Sequence, residues 1–286
     1  MGTVANVLLV VAILLHVTRP PTSMSFRQDV QGCLPKGATM QRASLDGLWN
    51  AASSPSRTFR PDQLQGYPEA TRRYLGHAIA PGSPLASVVR LRMHGEIKLR
   101  RWCPFTAEQV ISWDRGFIWS ATARIHGFPV RGFDRLVDGQ GMVRWKLLGI
   151  VPVITASGVD VTRSAAGRVM AESVWLPSVL CRDGLTWTAR DVLHPQVHLT
   201  IGPEAADLRL CIDADGVLQN VSLSRWSNPD NTRYRYENFG GLVEQEHRFA
   251  GFTIPTRLRV GYFASTNRFE SDGEFFRATI DDAAYR

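Results

Sequence analysis

The hydrophobic pattern along the chain changes period three times. Within "PDQLQGYPEATRRYLGHAIAPGSPL" (residues 61–85), Ala70, Tyr74, Leu75, Ala78 and Ile79 recur at helical spacing. They share one face of a helix that Pro68 suits in its first turn and "APGSP" ends. From Ser87 the period becomes two. "VVRLRMHGEIKLR" alternates apolar and charged residues and predicts a long strand. "PFTAEQVIS" breaks that rhythm and predicts a loop or short helix. "GFIWSATARIHG", "PVRGFDRLVDG" and "GMVRWKLLGIVPV" resume it as strands with glycine-bearing turns. A helix follows from about Asp160 to Leu176. Strands then return in "LTWTARDVL", "QVHLTIG", "DLRLCID", "GVLQNVSLSRW", "RYRYENFG", "RLRVGYFAS" and "EFFRATIDDA". The predicted fold is α+β, mostly antiparallel β: one large curved sheet, half-barrel-like, with two or so helices packed on or inside it.

Ahead of this lies an uncharged apolar run, "VANVLLVVAILLHV", residues 4–17. It is shorter than the ~20 residues of a comfortable membrane span. No cation precedes it, no small-residue cleavage site closely follows, and Arg19, Pro20 and Pro21 end it. An uncleaved anchor, an atypical export signal and a true start at Met24 are the three readings. Arg19, Arg27 and Lys36 follow the run, which for an anchor favours a cytoplasmic C-terminal domain. The chain is therefore divided into a signal- or anchor-like segment (1–18), a flexible linker (19–58) with one short helix near residues 40–49, and a single domain (59–286). A membrane-associated or exported location in the cell envelope is expected, with a cytoplasm-facing domain left open.

The net charge of +7 comes almost wholly from arginine; the lysines are Lys36, Lys98 and Lys146. The arginines are spread along the chain and alternate with apolar residues, as solvated strand faces do, so nucleic acid is not an expected partner. An anionic membrane surface suits a mildly basic protein better. Cys33, Cys103, Cys181 and Cys211 are far apart, leaving one disulfide or free thiols open and zinc unsupported. His194 and His198 flank Pro195 in a strand-like segment, and "DADG" (213–216) reads as a hairpin turn without the later ligands of a calcium loop. No nucleophile elbow, P-loop, zinc-protease helix or dinucleotide-binding glycine pattern is present, so no catalytic residue, metal ligand or cofactor is assigned. Glu237, Glu244, Glu246, Glu270 and Asp272 read as exposed strand and turn charges, with acid–base hydrolysis as the alternative.

Tryptophan and phenylalanine occur in successive elements. Most belong to the core, but a curved sheet can enclose more volume than side chains fill. Trp102, Phe105, Trp119, Trp145 and Trp175 are the candidate ligand-binding residues. Glu172 poses a separate question, because Pro177 stops its helix and places it where the helix dipole disfavours an anion. Arg168 precedes it by four residues, the weaker orientation for an ion pair. A buried arginine from a strand is the expected compensation, which makes Glu172 a structural ion pair; membership of the binding site is the alternative.

The succession "YPEATRRYLGHAIAPGSPL", "MHGEIKLRRWCPFTAEQV", "GFIWSA", "ESVWLPSVL", "LSRW" and "GFTIPTRLRVGYF" resembles an uncharacterised bacterial family, a domain of unknown function whose members often carry N-terminal membrane segments. The resemblance spans about residue 59 to the C-terminus and brings no activity with it. The order of elements is similar, more distantly, to the lipoprotein-carrier half-barrel of the periplasmic lipoprotein localisation factor. That resemblance implies a curved sheet wrapped around helices, with an apolar cavity for acyl chains. The expected function is a non-enzymatic binder or carrier of a lipid or other hydrophobic small molecule at a membrane surface. A hydrolase of an envelope component using cavity carboxylates and an anchored structural module are the alternatives.

Overall fold

The computed structural model describes residues 43–53, 55–264 and 266–286; the N-terminal apolar run, most of the linker and Cys33 lie outside them. A helix, α1 (Leu45–Asn50), comes first, then a 3₁₀ turn at Pro61–Leu64 and a second helix, α2 (Glu69–Ala78). Six strands then step outward from the middle of the sheet to one edge: β1 (Val88–Lys98), β2 (Trp102–Ser112), β3 (Gly116–Ile125), β4 (Phe128–Val137), β5 (Gln140–Leu147) and β6 (Val151–Ser157). Helix α3 (Val159–Glu172) and the 3₁₀ turns Ser173–Trp175 and Pro177–Cys181 carry the chain to the other edge. Seven strands step back: β7 (Thr186–Ala189), β8 (Pro195–Ile201), β9 (Glu204–Ile212), β10 (Leu218–Ser227), β11 (Arg235–Phe249), β12 (Phe252–Tyr262) and β13 (Glu274–Tyr285). β13 pairs with β1, so the 13 strands form one antiparallel sheet in the order β6-β5-β4-β3-β2-β1-β13-β12-β11-β10-β9-β8-β7. This is the expected mostly antiparallel α+β fold with a large curved sheet.

Two local expectations are corrected. "PFTAEQVIS" is strand, the body of β2, paired with β1 on one side and β3 on the other. Ala107, Glu108 and Gln109 favour helix weakly, and pairing along both edges outweighs that preference. "GMVRWKLLGIVPV" is two strands, because Leu148 and Gly149 turn the chain with φ of 53° and 75°.

The inner face carries the core. The stripe predicted for α2 is buried: Ala70, Tyr74, Leu75, Ala78 and Ile79 all face the sheet. α3 packs on the same face, and its Ser164-Ala165-Ala166-Gly167 run lets it approach closely. A Cβ on Gly167 would stand 2.8 Å from Arg225 Cγ, so β10 accepts the helix at this depth only without a side chain there. The outer face has a smaller cluster, where α1 sets Leu48 against Val88, Val110, Ile118 and Val137. Among the described residues no helix is long and apolar enough to cross a membrane.

Candidate functional site

The register of β2 to β5 lays Gln109, Trp119, Asp134 and Val143 side by side, each opposite the next across the strand pairs. Residues facing each other across a ladder share a face, here the inner one. α3 crosses above them with Val161, Ala165, Arg168 and Glu172 on its sheet-facing side, the three- and four-residue spacing of one helix face. Between helix and sheet lies a cavity of about 110 Å³. Most of its wall is apolar, including Phe117, Trp119, Trp175, Phe239, Leu258 and Phe276. One wall is charged and includes Asp134, Arg168, Glu172 and Arg225, with Arg135 also at its border. A single water centre needs only ~10–15 Å³, so the space accepts a larger occupant.

The charged wall is knit together. Arg168 donates from Nε to Glu172 Oε1 at 2.7 Å and from Nη1 to Asp134 Oδ2 at 3.3 Å. Gln109 Nε2 donates to Glu172 Oε2 at 2.5 Å, and Trp145 Nε1 to Asp134 Oδ1 at 3.1 Å. The Arg168 guanidinium also lies 4.6 Å from the Phe117 ring centre and 5.2 Å from that of Trp119. Arg225 donates from Nε to the Ser164 carbonyl at 3.0 Å and sits 4.5 Å from the Phe239 ring.

Burial dominates the electrostatics. It pushes the Asp134 carboxyl up from its ordinary 3.8 to about 6, against the pull of Arg168, the Trp145 hydrogen bond and Arg225. Burial also lowers the Arg225 guanidinium from its ordinary value, and the Arg168 charge adds to that. Among the described residues in and around this site, three buried polar atoms have no protein partner: Trp119 Nε1, Arg135 Nε and, beside Glu172, Gln109 Oε1.

Glu172 is compensated, but not by the expected strand arginine. The strand supplies Gln109, and the arginine is Arg168 of its own helix. Arg168 serves because Asp134 on β4 holds its other side, so the guanidinium is fixed between two carboxylates. A sequence shows the i,i+4 relation but not the second anchor.

The five aromatic candidates part company. Trp119 and Trp175 line the cavity, and Trp175 Nε1 donates to the Pro255 carbonyl at 3.0 Å. Phe105, Trp119 and Trp145 border a smaller apolar space of about 10 Å³ behind it, with ring centres 5.6 Å (Phe105–Trp119) and 5.7 Å (Trp119–Trp145) apart. Trp145 lies across Gly132, where a Cβ would meet its ring at 2.4 Å. Trp102 is on the outer face opposite Lys98, with the Arg277 guanidinium 4.1 Å from its ring centre. Trp102 and Phe105 are three residues apart on one strand and therefore point to opposite faces; with β2 unrecognised, that parity was hidden.

Sequence reasoning missed Gln109, Asp134, Arg225, Phe239 and Phe276. One signal was available: in "PVRGFDRLV" the inward phase reads Val130, Gly132, Asp134, Leu136, which places a carboxylate in an apolar row. The late carboxylates stand apart from this cavity, each beside a base: Glu237 with Arg235, Glu244 with Arg257, Glu246 with His77, Glu270 with Arg259, and Asp272 with Arg268. His194 bonds Asp191 and His198 bonds Asp207. In "DADG", Asp213 Oδ1 accepts from the amides of Asp215 and Val217 and closes a turn. Cys103, Cys181 and Cys211 are free thiols.

Comparison with curated proteins finds no match. Solved structures similar in fold include two of bacterial origin. A LolA superfamily protein from Nitrosomonas europaea is 10% identical, with a TM-score of 0.41 over 76% of this chain and 92% of that one. A domain described as an outer membrane lipoprotein-sorting protein, from Vibrio parahaemolyticus, is 7% identical, with a TM-score of 0.39 over 79% and 92%. The model of a family of unknown function (DUF6920) matches residues 65–285, the whole sheet together with α2 and α3, and the chain belongs to that family.

Proposed function

We propose that the protein is a non-enzymatic binder of an amphiphile, a lipid or similar molecule, at a membrane or in the cell envelope. The apolar chain occupies the inner cavity, and the polar end meets the wall of Asp134, Arg168 and Glu172. The observation that carries this reading is the contrast within one cavity: aromatic and aliphatic walls on most sides, and a fixed charged cluster on one. Trp119 lines the cavity, and its unpartnered Nε1 offers a donor to a head group. Asp134, Arg168 and Glu172 are already hydrogen-bonded to one another, to Gln109 and to Trp145, which suits orientation of a ligand better than attack on it. The apolar run at residues 4–17 supports a membrane-associated or exported setting.

The test is native mass spectrometry of the gently purified full chain, followed by tryptophan fluorescence titration with fatty acids and phospholipids of increasing chain length. A co-purifying lipid is expected. Affinity should rise with length, with an upper slope of ~0.8 kcal/mol per buried CH₂. A flat response across the series, with the cavity confirmed empty, refutes the proposal. Cleavage of the added lipid transfers Asp134 and Glu172 to the hydrolase reading.

A further inference from the structure

We infer that three hairpins at one end of the sheet form a docking surface for an anionic lipid bilayer. These are the β1–β2, β3–β4 and β5–β6 connections, and β2–β5 bring them together at the same end of consecutive strands. Two features coincide there, and neither is explained by folding.

The first is exposed apolar surface. Phe128 is 59% exposed, Leu148 51%, Ile150 76% and Val151 54%. The Phe128 and Leu148 turns are in contact, since the Leu148 amide donates to the Pro129 carbonyl at 2.9 Å. Leu148 is the most telling residue. Its φ is 53°, a left-handed backbone that favours glycine, asparagine or aspartate. The chain places a leucine there and leaves it in solvent. At the opposite end of the same strands the corresponding turn is Asp138-Gly139, the usual chemistry for that geometry, and Asp138 pairs with Arg115 at 2.6 Å. The contrast is between two ends of one sheet, so strand propensity cannot account for it.

The second feature is charge. Segments 97–103, 124–131 and 144–152 hold Lys98, Arg100, Arg101, Arg124, Arg131, Arg144 and Lys146, and no acidic residue. Among the described residues none of these seven cations forms an ion pair, although the molecule pairs many of its other arginines. Arg131 even stands directly opposite Lys146 in the ladder, a like-charge pair that an isolated sheet would avoid. Apolar tips framed by unpaired cations match the two layers of an anionic bilayer: side chains enter the interface while the cations meet the lipid phosphates. The surface stands on residues that do not border the larger cavity and is independent of the binder proposal.

Hydrogen exchange on the full chain tests this locally, so any membrane contact of residues 4–17 does not obscure the readout. Vesicles of equal parts phosphatidylcholine and phosphatidylglycerol should slow exchange of residues 126–128 and 148–151, and leave the turns at 113–115 and 138–139 unchanged. Neutral phosphatidylcholine vesicles should give no slowing, and high salt should abolish it. A Leu148→Asn/Ile150→Asn variant should melt no lower than wild type, because asparagine suits the turn, while vesicle affinity falls by roughly tenfold or more. Free hairpins on the anionic vesicles, or equal slowing on neutral ones, overturn the inference. Slowing that appears without vesicles as protein concentration rises also overturns it and assigns the patch to a second copy of the chain.

Discussion

Asp134 shows how one residue can be placed by its neighbours against its own preference. It hydrogen bonds to Trp145 and Arg168, yet burial still raises its carboxyl from 3.8 to about 6. Below about pH 4 the folded and unfolded chains both hold this proton. Between 4 and 6 the folded chain keeps it and the unfolded chain releases it, so stability falls as pH rises through that window. The loss totals about 3 kcal/mol and is complete above pH 6. Glu274 acts in the opposite sense. Burial raises its carboxyl, but hydrogen bonds from Arg259 and Arg277 outweigh that and hold it at about 2, so its contribution is present above its ordinary value and lost in acid. The Asp134 effect is therefore read as a difference between variants. Asp134→Asn retains an acceptor for Trp145 and removes the titration. Urea denaturation should find it more stable than wild type at pH 7 by about 1–3 kcal/mol, with the difference vanishing near pH 4. A less stable Asn variant at pH 7 means that the Arg168 ion pair outweighs the cost of burying the charge.

At the scale of elements, recognition depended on whether an element's own pattern or its neighbours decided its state. α2 was readable because its apolar stripe faces one core along its whole length. β2 was not, because its helix-favouring centre is held by two flanking strands that lie outside the local window. α1 shows a related limit. A short helix is expected near residues 40–49 and α1 lies there, but the segment is assigned to a linker; its docking through Leu48 becomes evident only where the sheet's outer face offers Val88, Val110 and Ile118. Leu48→Ala should cost about 2–3 kcal/mol in urea denaturation, as for other buried leucines. A chain beginning at residue 59 should fold with a similar deficit. No change in either case would show α1 to be a passive attachment.

At the scale of the whole molecule, the last strand closes the first. β13 lies between β1 and β12 at the centre of the sheet, so both arms depend on a strand that follows all the others in sequence. Removing residues 274–286 leaves two strand edges unpaired in the middle of the core, and such a chain should show no cooperative thermal transition. A cooperative transition in that truncation would mean the arms are stable separately. The sequence by itself determined the strand-rich class, the α2 stripe, most turns, the absence of familiar catalytic motifs and the aromatic richness from which Trp119 and Trp175 emerged. These are local properties, set by side-chain period and turn chemistry. Only the tertiary structure decided that Trp102 and Phe105 face opposite ways and that Gln109 answers Glu172. It also brought Asp134, Arg168, Glu172 and Arg225, from β4, α3 and β10, to one wall. Such choices rest on strand register and on the path of α3 across the sheet, and both are settled by packing between residues far apart in the chain.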